Sequence, residues 1–248
     1  MAIGIKKIMG IDRSSIRKLN SLQLSEELFN NPLFSDANLV SYWRMEGNSN
    51  DSKGSNNGSD SNVTYGNSYG KFNQGWKGNG ISSVTTTPLD LNSYTNLSIA
   101  FWMKPTSNDL NGLSPISSDV DARFGKSVIF YPTNAKIGIE YQTGTATGSF
   151  LDTDFTCSAD TWYHVVVVFT STTIKVYVNG SEVKSSTISQ SNDNQNHVLK
   201  VGKWNSSDPR WWNGSVDDLA IFNRVLTADE VLNIYQSQIK KFAGVSNI

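Results

Sequence analysis

The sequence lacks the features on which several protein classes depend. It has a single cysteine, Cys157, so no disulfide can form within the chain. Its 21 Lys and Arg residues are offset by 22 Asp and Glu residues, which leaves no basic excess for a phosphate backbone. No purely apolar run is longer than residues 165–169, which is far shorter than the roughly 20 residues of a membrane-spanning helix. We therefore expect no nucleic-acid partner and no membrane insertion.

No export signal is visible at the start of the sequence. Asp12 and Arg13 interrupt the first apolar stretch before it reaches the roughly 7 to 15 residues of a signal-peptide core. We therefore expect that the chain is not secreted by the classical route.

The polar composition points to a β protein. Ser (34), Thr (18) and Asn (26) together make 78 of the 248 residues, and aromatic residues add 11%. Such a composition is typical of short strands joined by polar turns, and residues that favour helices are scarce. A chain of this length can bury a large core without disulfides or metal.

Most of the chain alternates between β-branched or aromatic runs and polar turns. Residues 165–168 are four valines in succession, which indicates a strand covered on both faces. Asn179 and Gly180 predict a type I′ hairpin turn. We therefore predict an all-β fold, a sandwich of two antiparallel sheets. The predicted strands are residues 39–44, 80–86, 97–104, 127–131, 136–142, 162–170, 174–178, 182–186 and 198–204.

A short basic and apolar repeat occurs near both ends of the chain. Residues 5–11 (IKKIMGI) recur as residues 16–22 (IRKLNSL) and again as residues 239–245 (IKKFAGV). Because so short a unit cannot bury its apolar side alone, we predict that copies pack together and drive self-association. An amphipathic helix with an 11-residue period and an extended arm are alternative interpretations. The positions assigned to self-association are Ile5, Ile8, Ile11, Ile16, Leu19, Leu22, Ile239, Phe242 and Val245.

These patterns divide the chain into three parts. Residues 1–36 form an N-terminal arm, residues 37–237 the β domain, and residues 238–248 a C-terminal extension. Within the arm, residues 24–31 predict one short helix capped by Ser25. Thr227 and Glu230 form a capping box that predicts a terminal helix of about three turns.

The β domain resembles a laminin G-like domain of the concanavalin A-like lectin/glucanase superfamily. The resemblance covers residues 38–237 in the correct order and implies a jelly roll of two antiparallel sheets. Its motifs are residues 39–47 (LVSYWRMEG), 51–58 (DSKGSNNG), 70–75 (GKFNQG), 97–105 (LSIAFWMKP), 162–165 (WYHV), 177–180 (YVNG), Gly202 and 212–224 (WNGSVDDLAIFNR).

The resemblance implies a structural Ca²⁺ ion, since family members often hold one between the first polar loop and an acidic pair in the last strand. If this family site is carried over to the present sequence, its ligands would be the side chains of Asp51, Asn57 and Asp217 and the carbonyl of Gly58. Strand alternation places Asp217 and Asp218 on opposite faces, so only one of them would bind. The alternative is an Asx-rich turn together with a carboxylate that caps loop amides.

No pattern of catalytic residues is evident. Glucanases of this superfamily need two carboxyl groups that flank the glycosidic bond. The nearest pairs are Asp119 with Asp121 and Asp152 with Asp154, and we interpret all four as solvated acids of turns or strand edges. His164 is interpreted as a packing residue. We therefore expect that the protein is not an enzyme.

Two tryptophans bracket a polar loop that predicts a sugar-binding rim. Trp204 and Trp211 would stack on sugar rings while Asn205 and Asp208 would recognise hydroxyl groups. Packing of both rings against neighbouring loops and a protein interface are the alternatives. The remaining tryptophans of the motifs are interpreted as structural, namely Trp43, Trp102, Trp162 and Trp212.

The terminal repeats resemble short tandem motifs of bacteriophage tail and other virion proteins. Together with the jelly roll, they favour a non-enzymatic structural and adhesive protein of a virion or surface fibre, which displays many weak glycan sites at once. Its partners would be copies of itself and cell-surface glycans, and it would act on a virion or outside cells. A freestanding carbohydrate-binding module of a secreted or cell-surface bacterial system is the alternative.

Overall fold

The computed structural model describes residues 35–107, 113–120, 125–130, 135–144, 147–191, 195–205 and 210–243. The chain divides into two units, Met1–Ala37 and Asn38–Ile248, and every element described below lies in the second. Several predictions lie outside the described residues. They are the helix 24–31, the six self-association positions of the arm, Asp121, Asp208, Val245 and the side chain of Phe242.

The described residues form fifteen strands, one 3-10 helix at Leu91–Ser93 and one α-helix, α1, at Ala228–Ala243. The strands are β1 (Leu39–Trp43), β2 (Ser59–Ser61), β3 (Thr64–Gly66), β4 (Gly75–Asn79), β5 (Val84–Asp90), β6 (Leu97–Pro105), β7 (Ile116–Ser117), β8 (Ser127–Phe130), β9 (Lys136–Gly144), β10 (Thr147–Thr156), β11 (Tyr163–Phe169), β12 (Thr173–Val178), β13 (Ser181–Thr187), β14 (Val198–Val201) and β15 (Asn213–Phe222).

The strands form two antiparallel sheets. Sheet I has the order β13-β12-β11-β6-β15-β4-β3, and β1 pairs with the second half of β15. Sheet II has the order β10-β9-β8-β7-β14-β5-β2. The prediction of an all-β sandwich with a C-terminal helix is confirmed.

The core lies between the two sheets and follows the alternation of each strand. Sheet I supplies Ile99, Phe101, Val165 and Val167, and sheet II supplies aliphatic side chains, all without exposed surface. Val166 and Val168 point to the other face and are also buried, as the four-valine run predicts. The aliphatic side chains from sheet II are Ile116, Val128, Ile137, Ile139, Leu199 and Val201.

The local turn and cap predictions are confirmed. Asn179 and Gly180 take φ angles of 51° and 81° between β12 and β13. The Thr227 amide donates to the Glu230 carboxylate (2.8 Å), and the Glu230 amide donates to the Thr227 hydroxyl (3.2 Å).

Helix α1 is longer than the three turns predicted and runs to Ala243, so it includes the first residues of the third repeat. The Trp102 indole of β6 donates to the Gln238 side chain (2.8 Å), and Tyr235 stacks on His164. Helix α1 therefore packs on the outer face of sheet I. No helix among the described residues is long and apolar enough to cross a membrane.

Candidate functional site

The loop after β14 carries both tryptophans of the predicted sugar-binding rim. Gly202 turns the chain out of the strand with φ of +91°, and a Cβ atom at this position would lie 2.3 Å from the Trp76 ring. Any other residue would be strained here, because of the positive φ angle and because of the clash with Trp76. The turn therefore depends on glycine and directs Trp204 onto the outer face of sheet II.

The indole N–H of Trp204 is hydrogen-bonded, and a cation lies over its ring. Its indole Nε1 donates a hydrogen bond to the Glu140 carboxyl group of β9 (2.5 Å), and its carbonyl accepts one from the Ser117 hydroxyl (2.8 Å). The Arg210 guanidinium lies 4.2 Å from the ring centroid, within the range of a cation–π contact. Trp204 is thus half-buried and positioned by two strands of sheet II.

Trp211 has a similar arrangement at the other end of the loop. The Lys203 ammonium lies 5.1 Å from its ring centroid, and its backbone forms a bridge with Ser114. Asn205, by contrast, is only 3% exposed, so its side chain is not presented at the surface as a sugar-binding residue would be. The loop therefore presents two aromatic rings, each next to a cation.

A pair of carboxyl groups lies beneath Trp204. Asp119 is 1% exposed, so the interpretation of this residue as a solvated turn acid is wrong. Its carboxylate accepts hydrogen bonds from the Ser127 hydroxyl (2.7 Å) and the Gly125 amide (2.6 Å), and it also bonds to the Glu140 carboxyl group. Two carboxyl groups can form a hydrogen bond only when one of them keeps its proton.

Burial and the adjacent Asp119 carboxylate raise the pKa of Glu140 to about 9. Burial also raises the pKa of Asp119, against the hydrogen bonds from Ser127 and Gly125 that lower it. The pair therefore shares a proton at neutral pH, and Glu140 acts as the donor toward Asp119.

Further buried polar groups surround this pair on the outer face of sheet II. The Lys200 ammonium donates to the Asp119 carbonyl (2.5 Å), and the Lys126 ammonium donates to the Leu91 carbonyl (3.1 Å). Burial lowers the pKa of Lys126 to about 8. His197 Nδ1 lies 2.9 Å from the Ser118 carbonyl. These contacts join β14 and the residues that flank β7, β8 and β14 to each other and to the 3-10 helix.

The geometry does not suit glycoside hydrolysis at either acidic pair. Asp119 and Glu140 are in hydrogen-bond contact, whereas the two carboxyl groups of a glycosidase are about 5 to 9.5 Å apart with the substrate between them. The exposed Asp154 pairs with the ammonium groups of Lys136 (2.9 Å) and Lys184 (3.5 Å), and Asp152 lies 3.6 Å from Lys136.

His164 lies between aromatic rings and not in a catalytic arrangement. Its ring is 5.1 Å from Trp102 and 6.0 Å from Tyr235, and the residue is 1% exposed. Burial lowers its pKa to about 3, so the imidazole is neutral at physiological pH.

The predicted calcium ligands of the first polar loop contact backbone amides. One oxygen of the Asp51 carboxylate accepts from the amides of Tyr42, Lys53 and Gly54, all at 3.0 Å, and the other accepts from the Asn56 amide at 3.1 Å. Asn57 Oδ1 accepts from the Asp51 amide (2.9 Å). Burial raises the pKa of Asp51, but these hydrogen bonds outweigh it and leave the pKa below its ordinary value.

Asp217 also accepts from backbone amides, but burial and the neighbouring Asp218 charge raise its pKa well above the ordinary value. The alternation expected at Asp217 and Asp218 is wrong. The Asp217 carboxylate accepts from the amides of Lys71 (2.8 Å) and Phe72 (3.0 Å). A bulge interrupts β15, and Asp218 has a φ angle of 48°. Asp217 lies opposite Trp102, and Asp218 accepts from the Gln238 side chain, so both carboxylates face the side where α1 packs.

These oxygens do not fit a Ca²⁺ ion as they are arranged. A cation needs oxygens with free lone pairs, and here N–H donors point at both carboxylates. Among the described residues, no group of three or more His, Cys, Asp and Glu side chains could hold a metal ion. The geometry matches the alternative, an Asx-rich turn and a carboxylate that caps loop amides, while calcium binding itself stays a prediction.

Several residues of the site were not anticipated from the sequence. Glu140 follows the inward-pointing Ile137 and Ile139 in β9, so alternation alone places it on the opposite face of that strand. Its contact with Asp119 and Trp204 joins positions 21 and 64 residues away, which no local pattern reveals. Lys203 and Arg210 adjoin the predicted rim in sequence, but only the fold shows that they cover its rings.

Comparison with known proteins places the β domain in a family of lectin-like folds. A laminin G family model, described as the concanavalin A-like lectin/glucanases superfamily, matches residues 77–232. No curated protein matches the chain.

Among solved structures, domain 4 of the arabinanase AbnA from Geobacillus stearothermophilus, in complex with arabinotriose, has a TM-score of 0.63 at 20% identity over 80% of this chain and 98% of that one. The receptor-binding domain of a botulinum neurotoxin C/D mosaic serotype has a TM-score of 0.66 at 18% identity, over 82% of this chain and 52% of that one. The binding domain of Paraclostridial Mosquitocidal Protein 1 has a TM-score of 0.66 at 16% identity, over 81% of this chain and 52% of that one. The chain thus spans about half the length of these toxin domains, and at such identities the likeness shows the fold.

The amide contacts of Asp51 predict the response of the protein to calcium. If the loop amides satisfy Asp51 without an ion, millimolar Ca²⁺ should leave the Tm unchanged, because an ion would have to displace amide hydrogen bonds. Asp51→Asn should cost about 2 kcal/mol of stability with or without the ion, since hydrogen bonds to a charged group are lost. Thermal and urea unfolding with Ca²⁺ and with a chelator check both points. A Tm that rises with Ca²⁺ in the wild type, and not in the variant, would instead establish the calcium site.

The shared proton of Glu140 predicts the pH dependence of stability. The pKa of Glu140 is raised from the ordinary 4.5 to about 9, so between these values the folded protein holds a proton that the unfolded chain has released. The free energy of unfolding should therefore fall as pH rises through this range, by at most about 1.4 kcal/mol per pH unit. Glu140→Gln should flatten the decline, because the amide donates to Asp119 and accepts from Trp204 without titrating.

Urea unfolding at a series of pH values measures this difference. Glu182→Gln is the matched control, because it removes an exposed carboxylate that pairs with Lys175 at the surface. Parallel profiles for the wild type and Glu140→Gln would show that Glu140 does not hold the proton.

Proposed function

The chain belongs to the concanavalin A-like lectin/glucanase superfamily, and from this premise we propose that its sandwich binds glycans without cleaving them, through the loop that carries Trp204 and Trp211. The observation that carries the proposal is the fixed position of Trp204. Its indole bonds to Glu140 while its ring remains half-exposed at the outer face of sheet II. An aromatic ring already held in place loses little conformational freedom when a sugar stacks on it.

Two structural relatives support a binding role. The arabinanase domain was solved with arabinotriose bound, and cell entry of botulinum neurotoxin type C depends on interaction with two ganglioside molecules. Both proteins share the fold but little sequence with this chain, so a binding experiment must identify the class of glycan.

The two acidic pairs considered among the described residues do not suit glycoside cleavage, which supports a role without catalysis. Cleavage of a glycosidic bond requires two carboxyl groups with room for the sugar between them. Among the described residues, Asp119 and Glu140 bond directly to each other, and Asp152 and Asp154 are paired with lysines.

We further propose that the terminal repeats assemble copies of the chain, so that a virion or surface fibre displays many lectin-like domains. Weak single sites then act together through effective concentration. The freestanding carbohydrate-binding module of a bacterial system is the second candidate, favoured by the likeness to a single domain of a larger arabinanase. Self-association separates the two.

Trp204→Ala is expected to lower the affinity for the bound glycan by about 30-fold, because an aromatic anchor at a binding surface contributes about 2 kcal/mol. Trp204→Phe should lose less, since it keeps an aromatic plane and loses only the hydrogen bond to Glu140. Trp211→Ala should also weaken binding. A glycan array that includes arabinotriose, followed by calorimetry with the best glycan, measures these affinities.

Ile81→Ala is the control, because Ile81 is a 73% exposed apolar side chain outside this loop. Thermal unfolding establishes that each variant is folded. Unchanged glycan affinity in folded Trp204→Ala and Trp211→Ala would exclude this loop as the binding site.

Deletion of residues 1–36 is expected to abolish assembly and to leave the β domain folded. Light scattering and electron microscopy of the full chain and the truncated chain measure particle mass, and circular dichroism checks the fold. An assembly of equal size without residues 1–36 would contradict the role of the arm. A monomer of 27.3 kDa from the full chain would favour the freestanding module.

A further inference from the structure

A second aromatic and basic surface lies on the outer face of sheet I, away from the tryptophan loop. Lys77 of β4 and Lys104 of β6 both lie opposite Ser215 of the strand between them. Their sequence neighbours Trp76 and Met103 are buried in the core, so alternation directs both lysines outward. The two Cα atoms are separated by two strand spacings, roughly 9.6 Å.

Trp162 completes this surface beside Lys104. It precedes β11 directly and is half-buried, so part of this ring, which the sequence pattern assigns a structural role, is exposed. The Lys104 ammonium lies 5.3 Å from its ring centroid. The ring thus forms an apolar platform at the edge of a cationic row.

Among the described residues, the two ammonium groups make their direct contacts with neutral groups. The Lys77 ammonium donates to the Thr106 hydroxyl (2.5 Å) and lies 3.4 Å from the Asn213 side-chain oxygen. In the part of the chain that the structure describes, neither Lys77 nor Lys104 forms an ion pair with a carboxylate.

The charges of this surface are therefore poorly compensated. Burial lowers the pKa of Lys77, the charge of Lys104 lowers it further, and the exposed Asp160 partly opposes them. An anionic group placed between the two ammonium groups would relieve their repulsion and gain two charge-assisted hydrogen bonds.

We propose that Lys77, Lys104 and Trp162 form a binding site for an anionic polysaccharide, in which the two lysines bind its acidic groups and Trp162 stacks on a sugar ring. The hydroxyl of Thr106 and the amide of Asn213 are placed to bond sugar hydroxyls. This proposal rests on the proposed glycan-binding function but uses a different face of the sandwich.

The surface suits a glycan better than a nucleic acid. A phosphate backbone carries a dense row of charges and is bound by many cations at once, whereas this surface offers two lysines on a chain with a net charge of −1. One ring next to two cations instead matches a sugar with an acidic substituent.

Dextran sulfate and dextran test the proposal, because they share one neutral backbone and differ only in charge. We expect the full chain to bind dextran sulfate, to bind dextran at least tenfold more weakly, and to lose affinity for dextran sulfate as salt is raised. The double variant Lys77→Gln/Lys104→Gln should lower the affinity about tenfold or more, since two hydrogen bonds between charged groups are lost. Polygalacturonate tests whether carboxylates are bound as well as sulfates.

The control removes the same charge elsewhere. Lys53→Gln/Lys175→Gln replaces an exposed lysine and one paired with Glu182, and it should bind dextran sulfate like the wild type. Trp162→Ala, checked by thermal unfolding, should also weaken binding. An equal loss in the control variant would show a general charge effect and overturn the proposal.

The remaining outcomes separate this site from the tryptophan loop. If Trp204→Ala abolishes binding of dextran sulfate and the Lys77/Lys104 variant does not, glycan binding stands and the second site is overturned. Preference for single-stranded DNA over dextran sulfate would overturn the assignment of the partner. Failure to bind dextran sulfate would also overturn this site, while a glycan-array signal that depends on Trp204 would leave the proposed function intact.

Discussion

Strand β15 pairs with three other strands and is interrupted by a bulge at Asp217 and Asp218. The first half of β15 pairs with β4 and the second half with β1, while β6 follows both. The bulge turns both carboxylates to one face, where Asp217 caps the amides of Lys71 and Phe72, and Asp218 bonds to Tyr42 and to Gln238 of α1. Buried carboxylates are tolerated only with such partners. One strand therefore connects the sheet, a loop and the terminal helix.

On the outer face of sheet II, a shared proton makes the burial of two carboxyl groups possible. Asp119 and Glu140 lie too deep for two negative charges, so one of them keeps its proton and the pair forms an internal hydrogen bond. The Glu140 carboxyl group also accepts from the Trp204 indole, which connects the buried pair to the surface loop. The position of the proposed sugar-binding ring thus depends on satisfying buried polar groups beneath it.

Cations lie over aromatic rings on both faces of the sandwich. Arg210 and Lys203 cover Trp204 and Trp211 at sheet II, and on the outer face of sheet I Lys104 covers Trp162. Such pairs combine an apolar plane with positive charge, as an acidic sugar requires on its binding surface. Two sites on opposite faces of one domain, repeated over many copies, would raise the avidity for a polymeric ligand beyond that of either site.

The sequence by itself determined the local features of the fold. Alternation placed eight of the strands and the buried face of residues 165–168, Asn179 and Gly180 specified a hairpin, and Thr227 with Glu230 specified the start of α1, because each depends on neighbours within a few residues. Alternation missed β10 and β15 among the long strands, and the strand predicted at 80–86 overlaps only the start of β5. The family motifs extended this to the two-sheet sandwich. Only the tertiary structure decided that Asp119 is buried against Glu140, that Asp217 and Asp218 share a face, and that Lys77 lies near Lys104. These contacts depend on strand register and on bulges, which bring together residues far apart in the chain. Burial and pairing in the folded state then set the protonation of each group. No local sequence pattern encodes these contacts.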